Sequence, residues 1–429
     1  MTLIAFLGFL ICLALSFPIA IAIIIGALLP GWTGLSAVTD AIYVLRTMVT
    51  GVDSTTILAI PLFMFAGTIM AQGKISKKLF DVFAYFLGNI PAGMPCAAVV
   101  TCLFYGAISG SGPATAVAVG AMTIPILVNL GYDKGFCAAL ISVSGGLGLL
   151  IPPSIAFINY ALVTGTSVTS LFAAGVLPGL LMGFLLMLYA FFYCKKHGED
   201  RDKIHANTRQ LRSMGLLTLL KESVWAILSP VIILGGIYSG LFTPTEAACV
   251  SVIYSLIISL FVYKTIKWSD LIPLVNESVR TVAPLCLLIA TATSFSRILT
   301  LAQAPQVLAA AVSGAISSRV VFLLTLVAIM LVLGMFIDGS PCILILSPLF
   351  MPIAEAYGVD PIHLGVIMVT TVTIGLSTPP FGLNLFAASA MTDIPVLTLG
   401  KKSLTCIAMA IVALLLITFV PGFSLWLAY

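Results

Sequence analysis

Residues 106–157 run GAISGSGPATAVAVGAMTIPILVNLGYDKGFCAALISVSGGLGLLIPPSIAF, and residues 333–386 run LGMFIDGSPCILILSPLFMPIAEAYGVDPIHLGVIMVTTVTIGLSTPPFGLNLF. The second stretch repeats the punctuation of the first. Pro125 answers to Pro352, Gly131 to Gly358, Asp133 to Asp360, Gly148 to Gly375, and Pro152–Pro153 to Pro379–Pro380, all at one offset of 227 residues. Gly and Pro interrupt helices, and two matched sets of interrupted apolar segments mark secondary transporters, where broken helices from two related halves build a midplane site. Fold class, site and mechanism all follow from this repeat.

Composition sets the solvent. The chain is 61% hydrophobic and 8% charged, against roughly a quarter charged in soluble domains. Apolar stretches near 3–29, 170–194, 224–242, 246–263, 281–300, 320–337 and 403–425 are each about long enough for ~30 Å of hydrocarbon. The expected fold is an all-α polytopic membrane protein. The first stretch has no basic n-region and no A-x-A cleavage site, so it is expected to be a span rather than a signal peptide. The net charge is only +4 and its basic residues lie in loops, which bears on topology and argues against nucleic-acid binding. Nine Cys occur without a C-x-x-C pair, and three His (His197, His205, His363) are scattered, so no transition-metal site is expected. The P-loop signature is missing, which excludes ATP drive within the chain. Neither H-E-x-x-H nor G-x-G-D occurs, so an enzyme is not expected, and no organic cofactor is implied.

The polar stretch 195–222 divides the chain, and its Lys/Arg content places it in the cytoplasm. The expected organisation is a first repeat over 1–194, a linker over 195–222 and a second repeat over 223–429. Counting outward from the linker, a re-entrant hairpin occupies 320–356 and a broken helix 360–391. Counting backward, a broken helix occupies 134–163, a hairpin 92–130, and Lys74, Lys77 and Lys78 are cytoplasmic. The two repeats then run in opposite directions across the membrane. Amphipathic stretches at 76–88 and 268–280 fit helices in the interface plane, or ordinary loop helices.

Each break carries chemistry. Three glycines and a proline between Gly106 and Pro113 cannot continue a helix, and in hydrocarbon such a break survives only where protein, water or ligand satisfies it. Ser109 and Ser111 put hydroxyl oxygens there, and freed carbonyls add more, a set suited to a hard monovalent cation such as Na⁺. The helix starting near Ala114 aims its positive end at the same region, which suits an anion. Asp338 is the acidic residue of the second hairpin, either a functional carboxylate or a helix cap. Asn159 and Asn384, past the double prolines, are substrate-binding candidates or capping amides. Arg297 either pairs with an anion or snorkels to the interface.

At Gly110-Ser-Gly-Pro-Ala-Thr115, Gly145–Ser154 and Gly375–Gly382 the chain resembles the large membrane subunit of tripartite ATP-independent periplasmic (TRAP) transporters. The likeness extends over essentially its whole length. It implies an inverted-repeat elevator transporter in the bacterial inner membrane, importing an organic acid on a sodium gradient. Substrate would arrive on a periplasmic binding protein. A small membrane subunit of about four helices, on a separate chain, would complete the scaffold within membrane lipid. The resemblance assigns one sodium site to Ser109, Ser111, Gly148, Ile151 and Pro153. By repeat symmetry a second falls on Gly339, Ser340, Gly375, Thr378 and Pro380. There the repeats differ, with Asp338 opposite Ser111 and Ser340 opposite Pro113, so the two ligand sets need not match. Family substrates are C4-dicarboxylates, keto acids and sialic acids. The chain as a whole leans to the sialic-acid branch, although no single residue carries that preference. The competing reading is a one-component sodium/dicarboxylate symporter that needs no binding protein. An ion channel is a further alternative, from the re-entrant hairpins alone.

Overall fold

The computed structural model describes residues 2–34, 40–73, 75–316 and 318–429, so Lys74 lies outside the described residues. Among these residues the chain forms helices and turns and no strand. Eight helices among the described residues are long and apolar enough to cross a membrane, or nine with one bent pair counted as a span.

The sequence breaks become helix termini. In the first hairpin, Gly93–Ser109 ends at Gly110, whose φ of +63° is the left-handed conformation that suits glycine. Ser111 is extended, and Gly112–Asn129 starts with Pro113 in its first turn, where the missing N–H costs nothing. The second hairpin joins Arg319–Gly334 to Gly339–Ala356.

The broken segments follow the same logic. Lys134–Leu150 and Ile155–Thr164 are bent by 42° around Ile151–Ser154, and Pro361–Gly375 is separated from Leu383–Thr392 by the turn at 376–382. Each double proline contains a cis bond. The repeat-related Asp133 and Asp360 both cap, accepting from Phe136 N–H at 2.8 Å and from Ile362 N–H at 2.8 Å.

Glycines let each hairpin lie on its break. A Cβ on Gly106 would sit 2.6 Å from Gly148 Cα, and one on Gly375 would sit 2.8 Å from Gly334 Cα. The two broken segments also touch each other. Ser377 Oγ donates to the Ser142 carbonyl at 2.9 Å. A Cβ on Gly146 would lie 2.8 Å from Cγ2 of Thr373, its counterpart at the repeat offset.

Three expectations are corrected. Stretch 3–29 is not one span but two helices, Thr2–Ala14 and Ile19–Trp32, packed on each other. Each is about 20 Å long, and the turn between them holds Ser16 at φ +63° before Pro18. Residues 268–280 are not a separate interface helix, because all but their first turn belongs to the 31-residue helix Leu271–Leu301. Its polar first third stays helical because no Gly falls there and Pro273 stands in the first turn. The segment Thr55–Gln72 is a further candidate span that was absent from the expected set. Inside the linker, Arg201–Ser213 is a helix, and helix Leu216–Tyr238 begins before the linker's expected end.

Candidate functional site

The two hairpin tips meet beside Leu149. A Cβ on Gly112 would be 3.3 Å from Leu149 Cδ1, and one on Gly339 would be 3.8 Å from the same atom. In front of the tips lies a cavity of about 620 Å³. One wall is Ser109, Ser111 and Pro113 of the first tip with Asp338, Gly339 and Ser340 of the second. The opposite wall comes from two spanning helices, with Met64, Gly67, Thr68 and Gln72 on Ala59–Gln72 and Glu277, Ser278 and Thr281 on Leu271–Leu301.

The first tip is knit by hydroxyls. Ser109 Oγ and Thr115 Oγ1 are 2.8 Å apart, and Thr115 Oγ1 donates to the Ser111 carbonyl at 2.8 Å. Ser109 Oγ also donates to that carbonyl at 3.3 Å. The tip is clamped onto the break, since Ile155 N–H donates to the Gly110 carbonyl at 3.2 Å. A Cβ on Gly110 would approach the Pro153 carbonyl to 2.6 Å, and one on Gly148 would approach the Ser111 carbonyl to 2.7 Å. Ser109, Ser111, Gly148 and Pro153 are thus gathered within a few ångströms. Ile151 closes the short helix Leu147–Leu150, and its side chain packs toward Gly179 of helix Val168–His197.

At the second tip Gly339 and Ser340 line the cavity, while Gly375 lies behind against Gly334. Thr378 Oγ1 donates back to the Ile374 carbonyl at 2.7 Å, and Pro380 sits in the turn at 376–382. Asp338 both caps and faces the cavity: its carboxylate accepts from Gly339 N–H at 2.7 Å. Asn159 and Asn384 are fully buried and do not line the cavity. Asn384 donates through Nδ2 to Ser377 Oγ at 3.3 Å; among the described residues its Oδ1 and both amide atoms of Asn159 have no partner. Arg297 is exposed and stands outside the cavity.

Charge defines what the cavity can hold. Its carboxylates are Glu277 and Asp338, and among the described residues no Lys, Arg or His lines it. Positive potential comes from the N-termini of Gly112–Asn129 and Gly339–Ala356. Sequence reasoning missed Glu277, Thr115 and the wall at Met64–Gln72. Thr115 was legible as the hydroxyl four residues past Ser111, one helical turn on. Glu277 was not, because its stretch appeared as a separate surface helix.

Two paired hairpins seated on broken helices, with a cavity lined by hydroxyls, two carboxylates and apolar side chains in front of their tips, define a polytopic helical membrane protein. Over residues 6–423 the chain matches the family described as "Tripartite ATP-independent periplasmic transporter, DctM component", and it belongs to that family. It is 39% identical to the isethionate TRAP transporter permease protein DctMQ of Oleidesulfovibrio alaskensis, over 98% of this chain and 65% of that protein. The chain therefore spans about two thirds of that relative's length. It is 42% identical to the C4-dicarboxylate TRAP transporter large permease protein DctM of Pseudomonas aeruginosa, over 86% of this chain and 85% of that one. To the sialic acid TRAP transporter large permease protein SiaM of Vibrio cholerae it is 35% identical, over 89% and 88%. Among solved structures it resembles the Alcanivorax borkumensis YdaH transporter, with a TM-score of 0.59 at 17% identity over 90% of this chain and 89% of that one. That likeness concerns the fold alone.

Proposed function

We propose that this chain is the large membrane subunit that imports an organic acid anion on a sodium gradient, with the anion delivered by a periplasmic binding protein. One observation carries the reading. The cavity in front of the hairpin tips holds two carboxylates and no basic side chain among the described residues. An anionic solute placed there meets like charge, and at low dielectric that repulsion is severe. Two helix N-termini offset part of it. Bound cations supply the remainder, and the hydroxyls and close-packed carbonyls around Ser109, Ser111, Gly148 and Pro153 are oxygen donors of the kind Na⁺ takes. Gly339, Ser340, Gly375, Thr378 and Pro380 are proposed as a second, symmetry-related set. Sodium coupling is then a condition for anion binding.

The cavity lies between two structural groups, which supports an elevator motion. Hairpins and broken segments form one wall, and helices Ala59–Gln72 and Leu271–Leu301 form the other. Where they meet, Gly67 presents a bare surface to the first tip, with a Cβ there only 3.2 Å from Ser109 Cα. In this reading the repeats are inverted, the linker 195–222 is cytoplasmic, and a small membrane subunit on a separate chain widens the scaffold. The relatives named for isethionate, C4-dicarboxylates and sialic acid set the substrate panel, with sialic acid the sequence-level expectation.

The test is uptake of each labelled acid into proteoliposomes holding this chain with its small partner, omitting sodium or the binding protein in turn. Loss of uptake on either omission is expected. Uptake that persists without the binding protein would make the chain a one-component symporter.

A further inference from the structure

A second cavity, of about 430 Å³, opens at the opposite end of the repeat from the hairpin tips, where helix Val168–His197 ends and helix Val396–Phe419 begins. Its rim carries Lys196 and His197 from the first helix and Lys401 and Lys402 from the second. One carboxylate, Asp133, lies among them and is already engaged by Lys402 Nζ at 2.8 Å. Lys402 reaches it by lying across Gly135, where a Cβ would come within 2.3 Å of the lysine stem. Lys196 and Lys401 are exposed and have no ion pair among the described residues. The pocket therefore keeps an uncompensated charge of about two.

The floor is aromatic. Phe136 and Tyr193 stack at 3.9 Å with an interplanar angle of 2°, and His197 stacks on the other face of Tyr193 at 4.2 Å. His197 Nδ1 lies 3.0 Å from the Tyr193 carbonyl. Below the lysines both helices turn apolar and stay exposed. Phe192 lies one turn before Lys196, and Ala408 and Val412 continue the face of Lys401 and Thr405. Free cations sharing a pocket with aromatic rings, passing within a turn or two into exposed hydrocarbon, fit a molecule with an anionic head and apolar tails.

We propose that this groove is a binding site for an anionic phospholipid, with Lys196 and Lys401 holding the headgroup phosphate and the face of Phe192 and Val412 receiving the acyl chains. Basic pockets between spanning helices at a positively flanked membrane surface take such headgroups, and aromatic rings settle at that depth. The packed pair of helices joins one element from each half, so the lipid would bridge the two repeats. The proposal does not depend on the transport reading, because lipid retention is measured without substrate.

The experiment is native mass spectrometry of the full chain, with its small partner where the two co-purify, exchanged into nanodiscs of equal phosphatidylglycerol and phosphatidylcholine. Wild type should retain phosphatidylglycerol selectively. Lys196→Gln with Lys401→Gln should cut that preference by roughly fivefold per lysine, and Lys196→Arg with Lys401→Arg should restore it. The pair Lys221→Gln and Lys267→Gln, basic positions elsewhere, should leave it unchanged. Equal retention of both lipids by wild type overturns the proposal. So does displacement of the lipid by millimolar inorganic phosphate, which would make this a soluble-anion site. Loss of the small partner from the double glutamine variant, with lipid preference intact, overturns it as well by making the groove a subunit contact.

Discussion

In the proposed sodium site Ser109 and Ser111 act through oxygen position. The Ser109 hydroxyl and the Ser111 carbonyl lie together with Thr115 at one tip, and Ser111 lines the cavity, so deleting either hydroxyl removes an oxygen without opening a large void. Ser109→Ala or Ser111→Ala should weaken the apparent sodium affinity of uptake about tenfold, the scale of one lost polar contact at ~1–3 kcal/mol. Chromatographic behaviour should be normal. Sodium titration of uptake measures it, and unchanged dependence in both variants would remove that site. Asp338→Asn separates capping from charge. The amide oxygen still accepts from Gly339 N–H, whereas the negative charge facing the cavity is gone. Transport should fall severalfold if that charge takes part, and wild-type rates would leave only the cap.

Elements meet here through glycine surfaces and through a few clamps. Gly67→Leu places a branched side chain where Ser109 Cα already stands 3.2 Å from a Cβ. Overpacking of this kind costs about 1–3 kcal/mol. The variant should fold yet lose more than tenfold in uptake, because the wedge pins the tip against the scaffold; undiminished uptake would argue against sliding along this face. The loop clamp at Asp133 gives a pH signature. Partial burial pushes its carboxyl up, but the hydrogen bonds from Lys402 and from Phe136 N–H outweigh this, and the net shift is downward. A depressed folded value means that the stabilisation is fully present above pH ~4 and fades as pH falls through the lower folded value. Both partners are about half exposed, so the pair itself contributes about 0–1 kcal/mol, and the cap about 1. Asp133→Asn should lower thermal stability slightly at pH 7 and flatten its decline below pH 4, read by thermal unfolding across pH.

At the scale of the molecule, coupling means charge movement. If more sodium charge enters than the anion carries, each net positive charge gains ~2.3 kcal/mol per 100 mV, negative inside. Uptake should accelerate when an inside-negative potential is imposed with a potassium gradient and valinomycin. Indifference to potential would mean that no net charge moves in the rate-limiting step. The same scale explains what was legible. The breaks within 92–130, 134–163, 320–356 and 360–391 could be located from Gly and Pro, since backbone interruptions are local events. The division of 3–29 into two helices was not placed, although Pro18 marks it, because apolar length by itself does not separate a span from a packed pair of shorter helices.

The chain's own order of residues determined the helical membrane class, the matched breaks and the serine-bearing tip, because each follows from local backbone chemistry and a fixed repeat offset. Only the tertiary structure decided which surfaces face one another. It set Glu277, Met64 and Gly67 against the tips, brought Ser377 onto Ser142, and gathered Lys196 and Lys401 at one groove. Those pairs are separated by up to a few hundred residues. Their meeting depends on glycine surfaces that admit distant side chains, as Gly146 admits Thr373 and Gly135 admits Lys402, which no local pattern encodes.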